Sequence, residues 1–72
     1  MVAPMWEILD QEPLMPRVYR LARAESLPGT YLYTIIYVCL LDHSPHVHLD
    51  PTFKRELAAH HWRELTGREI PS

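Results

Sequence analysis

Histidine is the residue type in this sequence that is best suited to chemistry. The 72-residue chain contains five of them: His43, His46, His48, His60 and His61. If residues 46–48 form a strand, His46 and His48 point to the same side, about 6–7 Å apart along the backbone. Two or three imidazoles together with Asp42 or Asp50 would form a suitable site for zinc, nickel or copper.

The spacing of these histidines is only weak support for a metal site. The string H-x-H-x-D at 46–50 is superficially similar to metallohydrolase motifs, which belong to much larger α/β scaffolds. Neither H-E-x-x-H nor C-x-x-C accompanies it. The simpler interpretation is a polar loop rich in histidine, followed by two histidines on the surface of a helix. A further interpretation is a pH response, because clustered histidines at an interface weaken that interface when they are protonated. We predict no metal and no cofactor; if a metal binds, the candidate ligands are His46, His48, His60 and His61.

Catalytic chemistry has little support in this sequence. Glu7, Asp10 and Glu12 lie close together, but nothing near them indicates the buried cleft that an acid–base pair needs. The serines lack a glycine-flanked nucleophile elbow, and two glycines do not make a phosphate-binding loop. A chain this short buries only about 60% of the surface that its unfolded form exposes, which leaves little room for a substrate cleft. We therefore predict that the protein is not an enzyme.

The charge balance argues against a dedicated nucleic-acid-binding protein. Seven basic residues stand against nine acidic ones, for a net charge of -2, whereas phosphate neutralisation favours a basic excess. A short basic stripe of Arg17, Arg20 and Arg23 could still contact phosphates or acidic side chains. Residues 51–66 would be the recognition helix of a helix-turn-helix, but the loop before them is longer than usual. A DNA-binding transcriptional regulator is therefore one alternative, and a histidine-based metal-binding protein is another.

Cysteine usage and apolar run lengths indicate a cytoplasmic protein. Cys39 is the only cysteine, which excludes an internal disulfide. The longest apolar run, residues 31–41, is shorter than the roughly 20 residues that a membrane span needs. Met1–Asp10 lacks the basic and apolar regions of a signal peptide. We expect no membrane association.

Seven prolines leave three windows in which regular elements can form. In the last window, Asp50 is a suitable N-cap, Pro51 a suitable first helical residue and Gly67 a suitable stop. In the first window, apolar positions recur at helical spacing from Val18 onward. We predict a mainly α, three-helix domain with helices at about 16–26, 30–42 and 51–66.

The middle window is the ambiguous one. Residues 31–41 read YLYTIIYVCLL, and their β-branched residues and tyrosines favour a strand. A strand needs a partner, however, and the only evident one is the short segment 46–49. A helix that is apolar on all sides is typical of a buried central helix, and we expect that arrangement. The alternative is an α+β fold with a strand or hairpin at 31–49.

The domain organisation follows from these elements. We expect one small domain over residues 1–72. Within it, residues 1–15 form an N-terminal segment that is extended or makes one short helical turn, and residues 67–72 form a C-terminal tail.

Aromatic residues point most directly to a function. Three small helices cannot easily cover seven aromatic side chains, and tyrosine and tryptophan are common interface anchors. We predict a small protein–protein interaction module that acts by stoichiometric binding as a regulator, adaptor or inhibitor. Its size is typical of accessory and phage-encoded regulators. Its partner is another protein, and we also expect a homodimer. The candidate anchors are Trp6, Tyr19, Tyr33, Tyr37 and Trp62, with Arg17, Arg20 and Arg23 as a charged rim.

Overall fold

A computed structural model describes residues 5–71 as a four-stranded antiparallel sheet followed by one helix. The strands lie in the order β1-β2-β3-β4, so each strand pairs with its neighbour in the sequence. The elements are β1 (Glu7–Leu14), β2 (Arg17–Leu27), β3 (Thr30–Cys39), β4 (Pro45–Thr52) and α1 (Arg55–Thr66). In this part of the chain, no helix combines the length and the apolar character that a membrane span requires.

The predicted three-helix fold is wrong. The segments expected to be helices at 16–26 and 30–42 are the strands β2 and β3, and only the last part of 51–66 is helical. The protein is therefore a small sheet-dominated domain rather than a small helical one. For residues 31–49, the structure shows the alternative prediction, a hairpin in which β3 pairs with β4.

The helix prediction for β2 failed because both of its faces are apolar. Tyr19 and Leu21 point to one side of the strand, and Val18 and Ala22 point to the other. A segment that is apolar on both sides satisfies helical spacing as well as strand alternation, so periodicity alone does not separate the two. β2 also supplies the partner that β3 was thought to lack.

The start of α1 was misplaced and its end was predicted correctly. Asp50 and Pro51 belong to β4, an edge strand, where proline is tolerated because its missing N–H faces outward. The N-cap position is Lys54, which has an extended backbone and no side-chain cap. At the other end, Gly67 adopts φ +75° and its N–H donates a 2.7 Å hydrogen bond to the carbonyl of Arg63.

The expectation for the N-terminal segment falls partly outside the described residues. Residues 7–14 are extended and form the edge strand β1, while residues 1–4 lie outside the described part. In the C-terminal segment 67–72, Ile70 is buried and packs into the core. Residue 72 also lies outside the described part of the chain.

The core lies between one face of the sheet, here called the helix face, and α1. The buried residues that form it are Tyr19, Leu21, Tyr33, Ile35, Ala58, Trp62 and Ile70. Trp62 is fully buried, so the helix is anchored by the largest side chain it carries. Burying a large apolar side chain contributes about 1.5–3 kcal/mol, which makes Trp62 a major contact between helix and sheet.

An irregularity in β1 ties this helix to the edge of the sheet. The pairing register of β1 with β2 shifts between Ile8 and Asp10, so that Asp10 faces the helix. One Asp10 carboxylate oxygen accepts hydrogen bonds from the Trp62 indole N–H and from Arg68 Nε, both at 3.1 Å. Partial burial alone would raise the pKa of Asp10, but hydrogen bonds from Arg68, the Gln11 backbone and Trp62 outweigh it and lower that pKa.

We expect Asp10→Ala to lower the free energy of unfolding by about 1–3 kcal/mol, because the buried Trp62 N–H would lose its acceptor. Urea denaturation followed by tryptophan fluorescence measures the loss. Asp50→Ala is the matched control, since Asp50 is exposed on β4, and it should change stability by less than about 0.5 kcal/mol. Equal losses in the two variants would contradict this role of Asp10.

Candidate functional site

The face of the sheet opposite α1, here called the open face, is the most distinctive surface of the protein. Strand alternation and register place apolar or small side chains on it in both central strands. These are Val18, Ala22 and Ala24 of β2 and Leu32, Thr34, Ile36 and Val38 of β3. An antiparallel sheet that is covered on one side usually carries polar residues on the other, and this sheet does not follow that pattern.

A groove of about 260 Å³ runs across the open face. Its floor is formed by small side chains, Ala22 and Thr34, which face each other across β2 and β3. Its walls come from the two edge strands and their neighbours: Trp6, Ile8, Ile36, Val47 and Pro51. All of the lining residues are uncharged, so the groove offers hydrophobic contact rather than ionic recognition.

The walls of the groove are only partly covered by the protein itself. Ile8 is 49% exposed and Val47 is 57% exposed, on opposite sides of the groove. Trp6, at the start of β1, is 39% exposed. Large apolar side chains that are clustered and half exposed are typical of a contact surface.

Two polar side chains on the open face form hydrogen bonds within the protein. The Thr34 hydroxyl donates a 2.6 Å hydrogen bond to the Leu49 carbonyl. Arg20 Nε donates a 3.0 Å hydrogen bond to the side-chain oxygen of Gln11, which directs the guanidinium toward the β1 edge. The Thr34 hydroxyl can therefore become buried without losing its hydrogen-bond partner.

Both edges of the sheet are poorly suited to pairing with another strand. Pro13 lies in β1, and Pro45 and Pro51 lie in β4. The register is also irregular in both edge pairings. Prolines and bulges are the usual means of blocking edge-to-edge pairing, so these edges disfavour the addition of another strand.

Of the five predicted aromatic anchors, the structure places one on the open face. Tyr19, Tyr33 and Trp62 are buried in the core, and Tyr37 is half-buried on the helix face. Trp6 alone lies at the open face, beside the groove.

The three predicted rim arginines do not form a single stripe, because β2 is a strand. Alternation places Arg17 and Arg23 on the helix face and Arg20 on the open face. Arg17 donates a 3.2 Å hydrogen bond to the Tyr19 hydroxyl and stacks over a tyrosine ring. Arg23 pairs with Glu7 at 3.3 Å. On a helix, residues with this spacing would share one surface. On a strand, the same spacing places them on opposite sides of the sheet.

The histidines gather at one end of the helix face without forming a metal centre. His46 stacks on Tyr37 with ring centroids 4.9 Å apart, while the centroids of His48 and His61 are 6.2 Å apart. His60 contacts His61 edge to face. Among residues 5–71, no three His, Cys, Asp or Glu side chains are arranged to hold a metal ion.

The carboxylates considered for catalysis are engaged in ion pairs. Glu7 binds Arg23, and both Asp10 and Glu12 bind Arg68 at 3.1 and 2.6 Å. These contacts hold the β1 edge and the C-terminal segment in place. They leave the three carboxylates in structural roles rather than facing a common cavity.

Sequence reasoning missed the residues that make up the groove. Ala22, Ile36 and Val47 are small or aliphatic and carry no chemical signature of their own. The signal was present in residues 31–41, where the positions of both parities are apolar, a pattern typical of a strand that is covered on both faces. No family model matches this chain, and no similar protein was found among curated proteins or solved structures.

We expect His48 to make stability fall under mildly acidic conditions. Burial, and then the charges of His61 and Arg17, lower the pKa of His48 below its usual value of 6.5. The unfolded chain therefore binds this proton more readily, so stability is full above pH 6.5, declines as the pH falls toward the lowered pKa, and levels off below it.

The measurement is the Tm by circular dichroism between pH 8 and pH 5. His48→Gln should flatten the decline over this range. The control is His43→Asn, because His43 is exposed in the turn before β4, where φ is +59° and asparagine is well tolerated. A His48→Gln curve parallel to that of the unmodified protein would show that His48 does not contribute.

Proposed function

We propose that this protein is a non-enzymatic interaction module that acts by stoichiometric binding through its open face. The observation that carries the proposal is an apolar sheet face over which no helix of residues 5–71 lies. Small domains are built from layers packed around a core, and here α1 supplies a second layer on one side only. A partner that covers the open face would supply the missing layer.

The energetics favour a partner that covers the whole face rather than a small ligand in the groove. Completing the burial of Ile8 and Val47, each about half exposed, contributes about 1 kcal/mol per residue. Association costs at least about 4 kcal/mol in lost translational and rotational freedom. Several such residues must therefore be buried together, which requires an extended protein surface.

The chemistry of the open face supports binding over catalysis. Its groove is lined by uncharged side chains, and its hydroxyl, on Thr34, is engaged with the backbone. Such a surface can hold an apolar partner but supplies neither a proton donor nor an activated nucleophile. Regulators, adaptors and inhibitors work by occupancy alone, and this surface suits that mode of action.

The other candidate functions have less support. The prediction of DNA binding depended on a basic stripe of three arginines. Because these residues lie in the strand β2, Arg17 and Arg23 are on one face of the sheet and Arg20 is on the other. Metal binding rested on a histidine cluster that has no three-ligand arrangement within the described residues. We propose a cytoplasmic location, because the single cysteine, Cys39, is a free thiol of the kind that persists in a reducing compartment.

Site-specific photo-crosslinking in native cells tests the proposed surface. A photoreactive amino acid at Val47, in the wall of the groove, should form a discrete crosslinked protein product that mass spectrometry can identify. The same amino acid at Leu41, which is 80% exposed in the β3–β4 turn, is the matched control and should give none. The proposal fails if position 47 gives no product, or the same products as position 41.

A further inference from the structure

We infer that the occupant of the open face is a second copy of this chain, packed sheet against sheet about a twofold axis. The inference rests on the proposed function and names its partner. The resulting dimer would have four layers, with the two sheets inside and one helix on each outer side. Its argument depends on the charge, the shape and the area of the open face.

The charge distribution of the open face is compatible with a copy of itself. A twofold interface brings the same surface patch together from both subunits, so a charged centre would repel its symmetry mate. The groove on this face is lined by uncharged residues, among them Ala22, Thr34 and Ile36. The charged side chain on this face of the central strands is Arg20, which lies opposite Ile36. Its Nε donates a hydrogen bond to Gln11, which directs the guanidinium toward the β1 edge and the rim of the interface.

The shape of the open face also suits sheet-on-sheet packing. Two packed sheets lie about 10 Å apart, and their inner side chains interdigitate. The groove floored by Ala22 and Thr34 provides a recess, and the half-exposed side chains of Ile8 and Val47 in its walls provide projections. With a volume of about 260 Å³, the groove can receive a branched aliphatic side chain from the second copy.

The size of the open face matches what a specific dimer needs. Four strands that each occupy a width of about 4.8 Å cover roughly 19 Å, and eight residues at about 3.3 Å each span roughly 26 Å. The projected face is therefore roughly 500 Å² per copy, or roughly 1,000 Å² for two copies, which is the threshold for a specific interface. A smaller partner segment, such as one added strand, would leave most of this surface exposed.

The primary test is sedimentation equilibrium of the purified full chain over a range of concentrations. The unmodified protein should behave as a dimer that dissociates on dilution. Val47→Glu and Ile8→Glu place carboxylates in the buried groove of both copies and should each weaken dimerisation by about 100-fold or more. Leu41→Glu alters an exposed leucine in the β3–β4 turn, and it should leave the dissociation constant unchanged.

Circular dichroism and cooperative unfolding establish that each variant is folded. If a glutamate variant does not fold, Val47→Thr replaces it, because threonine keeps the shape and strand preference of valine while adding a hydroxyl. This milder change should still weaken the dimer measurably. Isotope-filtered NOEs in a mixture of labelled and unlabelled chains should connect the methyl groups of Ile36 and Val47 between copies.

The possible failures are distinguishable. A chain that stays monomeric at millimolar concentration overturns the inference, and if Val47 still crosslinks to a different protein in cells, the proposed function stands. A dimer that is unaffected by Val47→Glu and Ile8→Glu, or whose intermolecular NOEs lie outside the open face, also overturns the inference. In that case self-association uses another surface.

Discussion

The docking of α1 on the sheet through Trp62 is the contact on which the rest of the structure depends. This side chain is fully buried, and its indole N–H is bonded to Asp10 in the first strand. Asp10 faces the helix because the β1 register shifts beside it. Arg68, just beyond the Gly67 turn, binds the same carboxylate, so the last element of the chain is fastened to the first. A meander of local hairpins thereby becomes a closed unit.

Because α1 packs on one face of the sheet, the two faces carry side chains of different sizes. The helix face carries large side chains such as Tyr19, Tyr33 and Ile35, which fill the space beneath α1. The open face carries smaller ones, including Ala22 and Thr34, and is correspondingly flat with a shallow groove. A surface of small and branched residues allows close approach over a wide area, which suits a second sheet better than a helix with its narrow apolar stripe.

The sequence allowed some local features to be predicted but not the strand arrangement. Gly67 was correctly expected to end the helix, because a left-handed C-terminal residue is a local requirement. The tyrosines and β-branched residues of 31–41 did indicate a strand, but that choice depended on identifying β2 as a strand that pairs with it. Pro51 suits either a helix start or an edge strand, and only the tertiary context separates the two.

The candidate site was harder to predict than the fold for a related reason. Aromatic residues were predicted to be interface anchors because they are large. In a small domain, however, large apolar side chains are also the ones that fill the core, as the buried Tyr33 and Trp62 do. Whether an aromatic side chain is a core residue or an anchor depends on which face of a strand it occupies. That assignment requires the register, and a shift of one residue would exchange the two faces.

The histidine with a lowered pKa and the apolar groove lie on opposite faces of the sheet. His48 meets His61 of α1 on the helix face, so protonation of His48 acts on the packing of α1. The open face lies on the other side of the sheet, and its groove is lined by groups that do not titrate. Mild acid should therefore affect association only through the global stability of the fold, because the groove itself keeps the same uncharged surface. If the open face binds a partner as proposed, recognition would depend on shape and apolar area, because the groove offers no charged group for ionic recognition.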